Sequence, residues 1–150
     1  MRVKKRPKAS RSPRPSRRRT NAPQAPVQKP VGADPRLREG IALYNHQQFF
    51  ACHEVLEQVW LHTQDASKDF YKGLIQAAVA CYHWSRGNRA GALTLARSAC
   101  RYLKRYRPVY HDLEVEQFLQ QFSELFQWLR KHPQRYDPRL VPLMRWVNAS

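Results

Sequence analysis

From Asp34 onward, apolar residues recur every three or four positions, which is the period of one buried face of an α-helix. Asp34-Pro35 resembles an N-cap followed by a first-turn proline, and it predicts a helix with Leu37, Ile41 and Tyr44 inward. Asn45 to Gln48 breaks the pattern before a second helix carrying Phe49 or Phe50, Leu56, Val59 and Trp60. A third helix is expected from about Ser67 to Ser85. There Arg86-Gly87-Asn88 supplies a left-handed exit and a cap for the next helix. The fourth runs through Ala92, Ala96, Ala99, Leu103 and Tyr106 until Pro108 stops it. The fifth covers about Leu113 to Leu129, with Phe118, Phe122 and Phe126 on a broad apolar face. A short last helix after Pro138 would dock Leu140, Leu143, Met144 and Trp146, with Pro142 in its first turn. No alternating run demands a sheet, so the expected fold is all-α: a compact bundle of about five or six short helices, largely antiparallel.

Charge divides the chain at the same place. Residues 1–33 hold 11 of the 27 Lys and Arg residues and no carboxylate, leaving 16 bases against 11 acids, a formal +5, for residues 34–150. Pro7, Pro13, Pro15, Pro23, Pro26 and Pro30 remove backbone donors from this stretch while its like charges repel, so a disordered basic arm is expected before one helical domain. The basic residues between 2 and 19 would attract nucleic acid or another polyanion nonspecifically. No apolar run approaches the roughly 20 residues needed to span a bilayer, and no secretory signal core is visible. Cys52, Cys81 and Cys100 are odd in number and lack Cys-x-x-Cys spacing. A reducing cytoplasm is therefore the expected compartment, or a plastid in a photosynthetic eukaryote.

Two segments place polar groups where apolar packing is expected. His53, Glu57 and Trp60 stack at i, i+4 and i+7 on the second helix, with Glu54 turned away by roughly 100°. Gly73, Gln76, Ala77, Ala80 and His83 form a stripe on the third, whose small members would let Gln76 and His83 approach His53 and Glu57. As a structural network, Glu57 would accept from an imidazole and Gln76 would satisfy what remains. As a metal centre, His53, His83 and Glu57 offer two nitrogens and a carboxylate suited to zinc or iron, with Glu54 or Gln76 positioning water. The His-Glu-x-x-Glu order lacks the second histidine of the usual metalloprotease motif. Arg86, Asn88 and Arg89 surround a helix N-terminus and form a candidate anion site. Arg97, Arg101, Lys104 and Arg105 extend that basic surface.

These residues resemble the family catalogued as domain of unknown function 309. The shared pattern reads here as Tyr44, Phe49-Phe50, His53-Glu54-Val55-Leu56-Glu57, Trp60, Gly73-Leu74-Ile75-Gln76-Ala77-Ala78, His83, Arg86-Gly87-Asn88 and Gly91-Ala92, across residues 38 to 105. The resemblance implies a small, compact, all-α domain of bacterial, archaeal or plastid lineages with no established biochemical activity. It directs attention to His53, Glu54, Glu57, Gln76, His83, Arg86 and Asn88 without giving any of them a role. Relatives often carry an arginine before the Gly-Leu-Ile-Gln segment, where this chain has Lys68 and Lys72. The arm lies outside the resemblance.

The leading expectation is a noncatalytic interaction or binding domain with a His53/Glu57/Gln76/His83 network, able to form a homo-oligomer. A metal-assisted hydrolase using His53, His83 and Glu57 is the enzymatic alternative. A nucleic-acid-associated protein using the basic arm and the Arg97–Arg105 face is the third.

Overall fold

The computed structural model describes residues 32–148. Five α-helices, α1 (Pro35–Asn45), α2 (Phe49–His62), α3 (Lys68–Ser85), α4 (Arg89–Leu103) and α5 (Val115–Lys131), follow one another with short connections. Each packs against its neighbour in sequence, and α3 lies between α2 and α4. The expected arm at residues 1–33 falls almost wholly outside the described residues. No helix among the described residues is long and apolar enough to cross a membrane.

The helix boundaries have local causes. Asp34 accepts from the backbone N–H of Arg36, and Pro35 occupies the first turn of α1. Gly87 takes φ +80° after α3, where the Gly87 N–H donates to Trp84 O and the Asn88 N–H to His83 O. These two hydrogen bonds to the last turn satisfy carbonyls that α3 leaves open. Asn88 then accepts from the Gly91 N–H at 3.0 Å and opens α4. At the other end of α2, Lys68 Nζ donates to Trp60 O at 2.8 Å and Thr63 O at 3.1 Å, while lying 4.3 Å from the Trp60 ring centre. A cation thus closes the negative end of that helix.

Leu37, Ile41, Tyr44, Leu56, Phe70, Leu74, Leu103, Phe118 and Phe122 form one continuous buried core. Removing such groups from water is the main favourable term in folding. The core is sealed by the C-terminal segment, which differs from the expected last helix. Only Pro138–Leu140 makes a 3₁₀ turn, because Pro142 lacks the N–H needed to continue. Leu140 and Leu143 remain exposed, while Val141 and Met144 are buried. Asn45 clamps the strap from both sides, donating to Met144 O and accepting from the Met144 N–H, each at 2.9 Å, and the Tyr44 hydroxyl donates to Pro142 O.

A second difference is a small hairpin, β1 (Val109–Tyr110) and β2 (Leu113–Glu114), between α4 and α5. His111 and Asp112 adopt positive φ to turn it, with no glycine to announce the turn. Leu113 also bridges to Trp146, so the hairpin anchors the strap.

Candidate functional site

The motif histidine and carboxylates lie on α2, which meets α3 antiparallel. Phe50 packs on Tyr82 near one end of this seam, and Lys72 reaches Trp60 near the other. Gln76 lies between Lys72 and Tyr82 along α3, level with the His53–Glu57 turn of α2. His53 Nε2 is 3.4 Å from Glu57 Oε1, and their side chains are 25% and 45% exposed. The pair therefore sits on the rim of the seam, where water screens it, rather than inside the core. Glu54 points to solvent, as its position 100° away from His53 predicts.

Polar matching in the seam is incomplete. His53 Nδ1, Trp60 Nε1 and Gln76 Oε1 are shielded from solvent and have no hydrogen-bond partner. With its Nε2–H turned toward Glu57, a neutral His53 leaves Nδ1 as an acceptor. Gln76 Oε1 is a second acceptor, so those two atoms cannot satisfy one another. The four-residue network expected from the sequence is reduced to the His53–Glu57 pair, with Gln76 beside it.

His83 is placed elsewhere. It lies seven residues beyond Gln76, about 10 Å along the helix axis. Its Nδ1 accepts from Asn88 Nδ2 at 3.2 Å, in the turn between α3 and α4. Among the described residues, no three His, Cys, Asp or Glu side chains are grouped to hold a metal ion. The set of His53, Glu57 and His83 is not assembled as three ligands, because the helix rise separates its members.

The small-residue stripe also meets a different helix from the one expected. A Cβ at Gly73 would lie 2.6 Å from Leu103 Cγ and 3.2 Å from Tyr102 Cβ, so this glycine admits α4, not α2. At Gly73, therefore, the stripe serves the α4 side.

The candidate anion group divides by task. Asn88 caps α4, and Arg89 Nη2 donates to Leu129 O at 2.5 Å and Arg130 O at 2.6 Å, closing the C-terminal end of α5. Arg86 projects over Tyr82 at 5.8 Å and makes no ion pair among the described residues. It opens onto a cleft of about 560 Å³ that Arg89, Arg135, Trp84, Phe126 and Tyr136 also line. Sequence reasoning missed Arg135, which follows α5 at a distance of 49 residues from Arg86 and carries no local signal.

The thiols are packed groups. Burial pushes Cys52 and Cys81 up to about 12, against partly compensating hydrogen bonds involving Tyr44, and it also raises half-buried Cys100. A thiol so raised is a poor nucleophile at neutral pH.

Residues 37–95 match the family described as Domain of unknown function (DUF309), the family that the motifs resemble. That segment runs from α1 into α4 and contains the whole α2–α3 seam. The chain is 37% identical over 71 residues to an uncharacterized protein, YpuF, of Bacillus subtilis (strain 168), a match covering 47% of this chain and 41% of that protein. It is 34% identical over 64 residues to an uncharacterized protein of Aquifex aeolicus (strain VF5), covering 42% of this chain and 19% of that one. The chain thus spans less than half the length of either relative.

Proposed function

We propose that the helical domain is a noncatalytic binding module whose α2–α3 face receives a partner. The observation that carries this reading is the Phe50 ring. It is 51% exposed, packed 5.5 Å from the Tyr82 ring and 5.4 Å from the ring of His53, whose Nδ1 has no partner. An exposed aromatic at the edge of a rigid helical seam offers apolar area for docking at little entropic cost. His53 and Glu57 hold the shape of that edge. On this reading residues 34–150 are the folding unit, and residues 1–33 add nonspecific attraction to anions.

Elemental analysis of the purified, untagged chain, combined with thermal unfolding of His53→Ala, tests the proposal. The expected result is no stoichiometric metal and a stability loss of about 0–1 kcal/mol, the scale of a partly exposed ion pair. Tightly held metal that disappears in His53→Ala, with folding unchanged, would reject it.

A further inference from the structure

A groove runs between α4 and α5 on a different face from the Phe50 edge. Three adjoining clefts compose it, of about 560, 250 and 430 Å³, the first and second sharing Leu93 and Phe126 and the second and third sharing Cys100 and Ser123. The groove therefore follows α4 along its length.

Its charge is sharply segregated. Arg86, Arg89 and Arg135 line the first cleft, Arg97 and Arg130 the second, and Arg101, Lys104 and Arg107 the third. Glu116 is the one carboxylate among the lining residues of all three. Eight of the 16 Lys and Arg residues beyond residue 33 thus face this groove, with one of the 11 acids. That is a formal +7 in the groove, against −2 for the rest of the domain. None of the eight forms an ion pair with a carboxylate among the described residues.

Like charges held together without counterions repel, so this arrangement is matched to an anion with regularly repeated charge. Arg97 and Arg101 succeed one another at i and i+4, about 6 Å along the α4 axis, and Lys104 follows three residues later in the 3₁₀ turn that continues α4. Seven of the eight bases are arginine, whose planar fork suits phosphate oxygens better than an ammonium does. The floor is apolar, formed by Leu93, Phe126 and Leu129. A concave channel between two helices admits one extended strand, whereas a duplex presents a broad convex surface. We infer that the α4–α5 groove is a binding site for the phosphodiester backbone of a single-stranded nucleic acid. Arg97, Arg101, Lys104 and Arg130 contact successive phosphates. Arg89 remains committed to the end of α5 and forms part of the wall.

Fluorescence anisotropy with labelled single-stranded DNA and RNA oligonucleotides, titrated by the full chain over a range of salt concentrations, tests the inference. Two groove variants, Arg97→Gln/Arg130→Gln and Arg101→Gln/Lys104→Gln, are compared with Arg38→Gln/Arg145→Gln, which removes the same charge from outside the groove. Thermal melts establish that each is folded. Each groove variant should bind about tenfold more weakly at low salt and show a salt slope smaller by about 1 to 2, while the control stays near wild type. A stronger response with RNA or with DNA identifies which strand the groove prefers. Equal losses in groove and control variants, displacement by poly-L-glutamate at the same charge concentration, or no binding by the wild-type chain would each overturn the inference.

Discussion

The two sides of α4 are built on opposite plans. Toward α3 it presents Leu103, fully buried, and α3 answers with Gly73, where an added Cβ would lie 2.6 Å from Leu103 Cγ. Small side chains let backbones approach, and dispersion contacts fill the space between them. Toward α5, by contrast, clefts remain at the surface, lined by bases, with Phe126 lining two of them. A helix locked on one side can carry charged groups at fixed spacing on the other. Rigidity and ligand access are thereby assigned to separate faces of one element.

The largest expected contrast is in thiol reactivity. Cys81 on α3 and Cys52 on α2 lie in the closed core, where burial pushes their thiols up to about 12. At neutral pH their thiolate fraction is therefore far below that of a free cysteine. Cys100, which lines the groove, is only partly buried. Timed alkylation followed by peptide mass spectrometry should modify Cys100 first and leave Cys52 and Cys81 intact until the chain unfolds. Equal rates at all three would show that the core side is as open as the groove side.

Adding carbon to each side makes the next comparison. Gly73→Ala places a methyl carbon 2.6 Å from Leu103 Cγ and 2.8 Å from its Cδ2, and Leu103 is fully buried with no room to retreat. Alanine favours a helix over glycine by about 1 kcal/mol. Overpacking on the order of 1–3 kcal/mol opposes it, giving a net destabilisation of about 1 kcal/mol or more in chemical denaturation. Leu93→Phe grows into the cleft and should change stability by about 0.5 kcal/mol or less. Similar losses at both positions would mean that α4 and α5 pack as tightly as α3 and α4.

How much of this could be read beforehand follows the range of the interactions. The Asp34 cap, the Gly87-Asn88 exit and the apolar faces of all five helices depend on residues within a turn of one another, and these were legible. The same short range explains why His53 and Glu57 pair as expected. The fate of Gln76 and His83 depends on which helix takes the Gly73 stripe. Periodicity shows that α3 has such a stripe but not whether Leu56 or Leu103 fills the space above it. The hairpin at His111-Asp112 lacked a glycine signal, and the strap from Pro138 to Trp146 is held by Asn45, 99 residues away from Met144. The basic groove was legible in part: Arg86, Arg89, Arg97, Arg101 and Lys104 read as one basic surface, whereas Arg107, Arg130 and Arg135 join it only through the fold, and Arg105 of that surface turns instead to Asp69.

Arg89 tests whether the groove depends on a deliberate brace. Its guanidinium reaches Leu129 O and Arg130 O at the last turn of α5, where carbonyls lack helical partners and the helix end is negative. This contact ties the N-terminus of α4 to the C-terminus of α5 and fixes the width of the first cleft. Arg89→Met keeps much of the aliphatic stem and removes the donors, so it should cost about 1 kcal/mol, the scale of a partly exposed charge at a helix end. Faster hydrogen exchange should be confined to the last turn of α5 and the first turn of α4, leaving the Gly73–Leu103 contact protected. If the α3–α4 amides exchange faster as well, the two sides of α4 are one cooperative unit, and the groove is not a separable surface carried by a rigid helix.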